Sequence, residues 1–383
     1  MLTRVRSTAI ALLVSLLALS ALLNLFVYLT YVITVFSHND FRLYYAGAEI
    51  GLRYGWSHIY DVKLHQAAVA ALRPGGPWYA LLTPAPITWI VAPLTFFGYP
   101  AAYWVWLVAS LGALGGAIWY TRPRHLPIAL YLLWWASLGP LWFSAYEGQV
   151  TILAAAGLLV GWWMLQTGRD FLAGAILAVA LFKPYLVLLL PIALLFSGRW
   201  HALLGFSAVA VVVGVAMLVT LQPEGIHAYL TMLLAPQAAG DTAKTLRSAL
   251  SGGAAVLVIQ AAAVLAVIAV AVHTRRTRAV WQMVVATLIG SFLLATYWHP
   301  QDYLALDVAA GITLVAGPPR VSVPAAIVVA FTSALASPLN GRELTTSWLL
   351  LAIVVLVLLG WRALTELRDA RPASAEPALT VTD

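Results

Sequence analysis

The sequence predicts an all-α integral membrane protein with many helical crossings of the bilayer. Of its 383 residues, 62% are hydrophobic and only 9% are charged, and the mean hydropathy is +0.91. Soluble domains carry about a quarter charged residues. Apolar stretches near the ~20 residues that cross a hydrocarbon core recur along the chain. Helices are the expected form of these stretches, because a helix satisfies its own backbone hydrogen bonds in lipid.

We expect about 11–13 such spans, several of them shorter than a full crossing. The first is too long for the ~7–15-residue apolar core of a secretory signal and is expected to be retained. The 81–98 stretch contains three prolines and is expected to be a re-entrant or surface segment. Short helices are expected to meet around Lys183-Pro184. The predicted spans are 8–36, 100–120, 126–144, 149–166, 171–183, 185–197, 203–221, 249–272, 279–298, 303–316, 321–337 and 346–361.

The charge distribution predicts the sidedness of the chain. If the N-terminus is cytoplasmic, about 13 of the 21 Lys and Arg residues face the cytoplasm, as the positive-inside rule requires. Both termini are then cytoplasmic, and the polar loops 37–80 and 222–247 are extracytoplasmic. The first loop is expected to hold two short amphipathic helices, because its apolar residues recur at helical spacing. Residues 1–365 form one polytopic domain, and 366–383 form a disordered cytoplasmic tail.

Several classes of site are not indicated. The chain has no cysteine, which excludes disulfides, thiolate metal sites and a cysteine nucleophile. Its histidines lack zinc-site spacing, and no Walker loop or glycine-rich nucleotide turn is present. We therefore expect no cofactor, no metal and no sugar nucleotide or ATP on the cytoplasmic face. The net charge of +7 comes mostly from arginines beside apolar segments, so no nucleic acid partner is expected.

Asp40 is the first candidate for chemistry. It follows the first apolar segment and opens an aromatic, polar loop. As a general base it would accept a proton from a hydroxyl group. Desolvation at the bilayer edge would raise the pKa of its carboxyl, and nearby Arg42 would lower it. The alternative is an ordinary cap, because Asp40 is placed to begin a helix at Phe41.

Three cations are candidates for binding a phosphate. Lys183 lies within an apolar run, where an ionisable side chain is usually functional, although it could instead extend to the interface. Arg247 precedes a later span and could join Lys183 in a clamp for a phosphate leaving group, or lie in a solvated loop. His299 follows another span and could contact the phosphate or position the acceptor, but its aromatic neighbours are also typical of an interface belt.

Polar and aromatic residues near these candidates are predicted to bind the sugar or the acceptor. Glu147 and Gln149 flank Gly148, which would allow close backbone approach, although a simple polar turn explains them equally well. Tyr44 and Tyr45 in the first loop are expected to line the same region. For Asp302 and Asp307 we expect only helix-start positions, where the helix dipole favours a carboxylate.

The order of these motifs resembles the polytopic glycosyltransferases of family 87, which have the GT-C fold. The resemblance implies a GT-C-type bundle in a bacterial plasma membrane. It also implies inverting transfer of a hexose, typically mannose, from a polyprenyl-phosphate donor to a lipid or glycan acceptor. It places the general base at Asp40 and needs no essential metal. The motifs are Asp40 with Tyr44-Tyr45-Ala46, Tyr146-x-Gly148-Gln149, Lys183-Pro184 before Gly198-Arg199-Trp200, and Trp298-His299.

Two departures from the family pattern concern the substrates. A Tyr-Pro-Pro that often follows the first loop is replaced by a stretch ending in Thr83-Pro84, and Pro300-Gln301-Asp302 stands where a further histidine is common. A transporter or flippase for a lipid-linked sugar is the alternative function. It would need a polar path through the bundle, whereas the predicted spans are almost uncharged. A non-enzymatic scaffold is disfavoured by the cost of Lys183 in lipid.

Overall fold

The computed structural model describes residues 2–35, 39–74, 78–124, 126–234, 245–250, 252–336 and 342–369. This part of the chain is almost entirely helical and contains no β-strand. The α-helices are α1 Leu2–Val35, α2 Phe41–Tyr54, α3 Val62–Leu72, α4 Pro86–Val91, α5 Tyr99–Thr121, α6 Ile128–Ala136, α7 Gly139–Glu147, α8 Thr151–Gln166, α9 Asp170–Leu177, α10 Leu190–Phe196, α11 Trp200–Leu234, α12 Leu246–Ala249, α13 Ala254–Thr277, α14 Val280–Leu294, α15 Leu304–Ala316, α16 Pro319–Ala336 and α17 Arg342–Asp369.

The prediction of an all-α membrane protein is confirmed. Within the described residues, four helices are long and apolar enough to cross a bilayer: residues 10–34 of α1, and α5, α11 and α13. A fifth span is formed if α6 and α7, which meet at an angle of 63°, cross together. Several of the other predicted spans are short or broken helices. Among them, α8, in the middle of the bundle, packs against α5, α9, α14 and α15.

The break expected around Lys183-Pro184 is present. A 3₁₀ turn at Ala178–Phe182 follows α9, and another at Pro184–Val187 precedes α10. Lys183 between them is extended, with φ −134° and ψ 79°. The cause is local, because the ring of a proline disfavours helical backbone at the preceding residue. The sequence thus breaks the helix at the lysine and frees its side chain from a regular helical face.

The predicted loop 222–247 begins with a helical segment. Helix α11 has a kink at Gln222, where φ is 57° and ψ is 175°, directly after the end of the predicted span, and a second helical segment then runs to Leu234. Beyond the kink the helix packs on the first loop: a Cβ on Gly225 would lie 2.7 Å from the Ser57 carbonyl oxygen. The Tyr229 ring lies 4.6 Å from that of Tyr60. Residues 235–244, with Asp241 and Lys244, lie outside the described residues.

The first loop contains the two predicted helices, α2 and α3. Helix α3 is amphipathic, with His65 and Val69 buried. Helix α2 is also amphipathic, and packing in the fold buries ten of its residues between Phe41 and Gly51, including Arg42. The side chain of His65 on α3 contacts α2, because its Nε2 lies 3.2 Å from the Leu43 carbonyl oxygen. Its Nδ1 accepts a hydrogen bond from the indole N–H of Trp78. The loop is therefore a packed layer against the bundle.

At the other end of the chain, α17 runs to Asp369, so residues 366–369 of the predicted disordered tail are helical. Glu366 on this helix lies 3.1 Å from the Nε2 of His273 on α13. Helices α13 and α17 pack along each other. The remaining tail, 370–383, lies outside the described residues.

Candidate active site

Asp40 is held at the start of α2 by groups from distant parts of the chain. Its main-chain N–H donates to Glu147 Oε2 at 2.8 Å. Its carboxylate Oδ2 accepts from Gln149 Nε2 at 2.5 Å and lies 3.5 Å from Gln301 Nε2. We call these four residues the Asp40 cluster. The Asp40 side chain makes no capping hydrogen bond to α2, so the capping alternative does not account for it.

The corner between α7 and α8 delivers Glu147 and Gln149 to Asp40. Gly148 at this corner is left-handed, with φ 61° and ψ 34°, a conformation that favours glycine. A Cβ on Gly148 would lie 2.7 Å from the Cβ of Phe41. Trp106 on α5 donates its indole N–H to the Gly148 carbonyl at 2.7 Å. Gly148 allows a close approach, and the group that approaches it in the fold is Phe41 of this chain.

The two tyrosines of the first loop point to different places. The Tyr44 hydroxyl donates to Gln149 Oε1 at 2.9 Å, which satisfies the second end of that amide. The Tyr45 hydroxyl instead donates to the Thr95 carbonyl at 3.2 Å. Tyr44 therefore supports the Asp40 cluster through Gln149, whereas the hydroxyl of Tyr45 is bound to the segment that follows α4 and not to this cluster.

Lys183 forms a buried ion pair that the sequence did not reveal. Its Nζ lies 2.6 Å from Asp302 Oδ1, and the two side chains are only 7% and 0% exposed. Tyr185 donates its hydroxyl to Asp302 Oδ2 at 3.1 Å. Thr151 Oγ1 lies 3.5 Å from Oδ1. Because the Lys183 ammonium is buried and paired, it does not extend to the interface.

His299 joins the same group of residues through its main chain. Its N–H donates to Asp302 Oδ2 at 2.9 Å, as part of a capping box at the 3₁₀ turn Pro300–Tyr303. The helix-start position expected for Asp302 is confirmed, and the same carboxylate also binds Lys183. The Tyr297 hydroxyl contacts His299 Nε2. We call Lys183, Asp302, Tyr185 and His299 the Lys183 cluster; it adjoins the Asp40 cluster because Gln301 and Asp302 are consecutive.

The electrostatics of the site favour proton uptake at Asp40. Burial raises the pKa of its carboxyl, and the charges of His299 and Lys183, the Gln149 hydrogen bond and the charge of Arg42 oppose that rise without cancelling it. Asp40, Glu147 and His299 remain partly exposed, while Gln149, Lys183 and Asp302 are buried. The arrangement thus offers an accessible base beside fixed cations.

Two arginines complete the account of the cations. Arg42 is fully buried, with its guanidinium carbon 5.9 Å from the centre of the Tyr79 ring. Its charge acts on Asp40, so it belongs with the site although its sequence position indicated only an effect on the Asp40 pKa. Arg247 is exposed on the short helix α12. In the part of the chain that the structure describes, no hydrogen bond or ion pair joins Arg247 to either cluster.

Several residues of the site were missed by sequence reasoning. Asp302 and Gln301 lie directly after the Trp298-His299 motif, and their polarity beside a candidate histidine was the available signal. Tyr185 directly follows Lys183-Pro184, and its polar hydroxyl beside a candidate lysine was a signal of the same kind. The described residues contain no group of three His, Asp or Glu side chains arranged to hold a metal ion.

Comparison with known proteins identifies the family. The family model for glycosyltransferase family 87 matches residues 82–296, which is 215 of the 383 residues and more than half of the chain. The matched range contains Glu147, Gln149 and Lys183 and ends just before His299. No curated protein and no solved structure gives a match. The chain belongs to glycosyltransferase family 87, and it is a membrane glycosyltransferase.

Proposed function

We propose that this protein transfers a hexose, mannose in the first instance, from a polyprenyl-phosphate donor to a hydroxyl of a lipid or glycan acceptor. The observation that supports this most directly is the position of Asp40, partly exposed and desolvated, next to the buried ammonium of Lys183. Transfer from a lipid phosphate requires both a base for the acceptor and a cation for the leaving group. The reaction is placed on the extracytoplasmic face of a bacterial plasma membrane, as the charge distribution predicts.

In the proposed step, Asp40 removes the proton from the acceptor hydroxyl. The acceptor oxygen attacks C1 of the hexose on the face opposite the phosphate, and the bond between C1 and the phosphate oxygen breaks. The electron pair of that bond leaves with polyprenyl phosphate, and the anomeric centre is inverted. Among the described residues, both side-chain hydrogen bonds of Asp40 fall on Oδ2. Oδ1 is therefore the oxygen that takes the proton.

The Lys183 cluster supplies the cations for the departing phosphate. An ammonium has three N–H donors, and Asp302 Oδ1 holds the Lys183 ammonium at 2.6 Å. The other donors of Lys183, together with the partly exposed ring of His299, serve the phosphate oxygens. Charge stabilisation of this kind is worth ~10²–10³ in rate per donor, and base catalysis ~10²–10⁴. Arg247 has no part in this proposal, because its exposed side chain joins neither cluster.

The proposed roles of Gln149 and Glu147 follow from which of their polar atoms are already hydrogen-bonded. Both ends of the Gln149 amide are engaged, with Asp40 and Tyr44, so Gln149 orients the base. Glu147 uses Oε2 for the Asp40 N–H and remains partly exposed. Its other oxygen, Oε1, is proposed to meet hydroxyls of the sugar or the acceptor. Polyprenyl-phosphate sugar, acceptor and surrounding membrane lipid are thus the proposed partners.

The test is transfer by the purified protein in proteoliposomes. Polyprenyl-phosphate mannose and polyprenyl-phosphate glucose are supplied with a membrane glycolipid extract as acceptor. We expect a glycosylated product whose anomeric configuration, read by NMR, is opposite to that of the donor. Asp40→Asn is expected to fold and to transfer sugar ~10²–10⁴ times more slowly than the wild type. Near-normal transfer by Asp40→Asn would remove Asp40 from the mechanism, and failure with every polyprenyl-phosphate hexose would remove the donor class.

The side of the membrane is tested separately with single cysteines, since the chain contains none. Lys63 in the first loop and Arg276 at the end of α13 are both exposed. A membrane-impermeant maleimide added to intact cells is expected to label Lys63→Cys and to leave Arg276→Cys unlabelled until the cells are opened. The reverse pattern would place the site on the cytoplasmic face.

A further inference from the structure

Gln301 has a polar group that its surroundings leave without a partner. The residue is 3% exposed, and its Oε1 has no hydrogen-bond partner among the described residues. Its Nε2 faces Asp40 Oδ2 at 3.5 Å, at the limit for a hydrogen bond. A buried acceptor without a partner is costly, and native structures rarely keep one without a reason.

The contrast with Gln149 shows that this arrangement is specific to Gln301. Both amides approach the same Asp40 oxygen, Gln149 at 2.5 Å and Gln301 at 3.5 Å. Gln149 uses both ends of its amide, because its Oε1 accepts from Tyr44. Gln301 uses one end weakly and the other not at all. One amide is thus committed to positioning the carboxylate, while the other has binding capacity left over.

The backbone holds Gln301 in place, so the free acceptor is not a consequence of a loose side chain. Gln301 lies in the 3₁₀ turn Pro300–Tyr303, and its carbonyl accepts from the Ser144 hydroxyl at 3.1 Å. Reversing the amide would bring Oε1 against the Asp40 carboxylate, with two acceptors facing each other. The orientation with the nitrogen toward Asp40 is therefore the favourable one, and Oε1 points away from that oxygen.

We propose that Gln301 contacts the substrate, with Oε1 accepting a hydrogen bond from a substrate hydroxyl. This inference rests on the proposed function and deepens it. This hydroxyl belongs either to the sugar or to the acceptor, and it lies beside Asp40 during transfer. Because the amide also touches the catalytic carboxylate, the same residue links recognition of that hydroxyl to the position of the base. A site built to bind a hydroxyl discriminates strongly against a substrate that lacks it.

The test compares the wild-type protein with Gln301→Met, which keeps the length of the side chain and removes the amide. We expect kcat/KM to fall about 10- to 100-fold, the range of one buried hydrogen bond. We expect the melting temperature to stay the same or rise, because an unsatisfied buried group is removed. Gln282→Met is the matched control. Gln282 is a buried glutamine near the start of α14, and about 18 Å of helix separates it from Leu294 at the other end. That variant is expected to keep the wild-type kcat/KM.

Substrate analogues identify the hydroxyl. Monodeoxy donors and acceptors lacking single hydroxyls are assayed with the wild-type protein and with Gln301→Met. For one analogue, the loss of kcat/KM seen with the wild type is expected to disappear in the variant, as in a double-mutant cycle. If that analogue is a deoxy donor, the hydroxyl belongs to the sugar. If it is an acceptor analogue, the hydroxyl belongs to the acceptor.

The outcomes separate this inference from the proposed function. If the wild-type protein uses no polyprenyl-phosphate hexose, the proposed function fails. If it does, and every analogue loses as much with Gln301→Met as with the wild type, Gln301 does not contact substrate. A melting temperature that drops together with a uniform loss of activity would show a purely structural residue and overturn the inference as well.

Discussion

The side-chain amide of Gln149 donates to Asp40 Oδ2 at 2.5 Å. Its other end accepts the Tyr44 hydroxyl at 2.9 Å. Because both ends of the amide are fixed, the carboxylate of Asp40 is held in one orientation, with Oδ1 left for the acceptor. This chain of hydrogen bonds joins the first loop to the start of α8, two segments more than 100 residues apart. The predictions below test the chemistry and the stability that follow from it.

Removing the charge of Asp40 is expected to separate activity from stability. Asp40→Asn should lower the transfer rate by ~10²–10⁴, the usual contribution of a general base. Because the pKa of Asp40 is raised in the folded protein, ionisation of this group opposes folding above its unfolded pKa, and that penalty grows as the pH rises. The variant should therefore melt at a higher temperature than the wild type at pH 7. The measurements are initial transfer rates and thermal unfolding in the same detergent. A variant with a lower melting temperature than the wild type would contradict the expected destabilisation by ionised Asp40.

The pH dependence of transfer reports the same carboxylate. Transfer requires ionised Asp40, so kcat/KM of the wild type should fall on acidification, with a midpoint above the ordinary aspartate value. Gln149→Leu removes a hydrogen bond to the charged form and should move this midpoint to higher pH. Tyr44→Phe, which keeps Gln149 in place, serves as the control and should move it less. A midpoint unchanged by Gln149→Leu would show that the amide does not tune the base.

Breaking the buried ion pair on one side is expected to destabilise the fold. Lys183→Met leaves the Asp302 carboxylate buried and without its cation, a change that typically costs about 3–5 kcal/mol. The double variant Lys183→Met/Asp302→Asn removes both charges and should recover much of the melting temperature. It should not recover transfer, because the phosphate has lost its cation. Asp170→Asn, which breaks the Arg199 pair near the opposite end of α9, is the control for loss of an ion pair elsewhere.

Gly148 is predicted to tolerate no side chain. Gly148→Ala must place a Cβ 2.7 Å from that of Phe41, in a left-handed conformation. The conformation alone costs about 1–2 kcal/mol, and relief of the clash would displace Glu147 and Gln149 from Asp40. We expect a lower melting temperature and a loss of transfer. Gly116→Ala on α5, where a Cβ meets nothing within 4 Å, should change neither.

His65 should make the packing of the first loop sensitive to acid. Burial lowers the pKa of His65 to about 4, assisted by the charge of Arg42 and opposed by the hydrogen bond to Leu43. The unfolded chain binds a proton near pH 6.5, so stability is lost as the pH falls from about 6.5 toward 4. The full effect is about 3 kcal/mol. Thermal unfolding between pH 7 and 4.5 measures it, and His65→Gln should flatten the dependence.

Composition and local pattern were sufficient for the class of protein and for several of its local features. Hydropathy alone predicts the helical membrane bundle, since a buried backbone must pair with itself. Proline after Lys183 predicts the break that the structure shows at that residue. The motif order around Asp40, Gln149 and Lys183 resembles family 87, and the family match, which covers residues 82–296, confirms the family.

Only the tertiary structure decided which of these side chains meet. The ion pair between Lys183 and Asp302 joins residues 119 positions apart, and Gln301 approaches Asp40 across 261 positions. The same packing binds the Tyr45 hydroxyl to Thr95, leaves Arg247 exposed and places the helical segment after Gln222 against the first loop. Helix formation and hydropathy depend on neighbours within a few residues, and the sequence by itself therefore determined the class of the protein and most of its helices. Contacts between distant helices depend on how their surfaces fit together, which no local pattern contains.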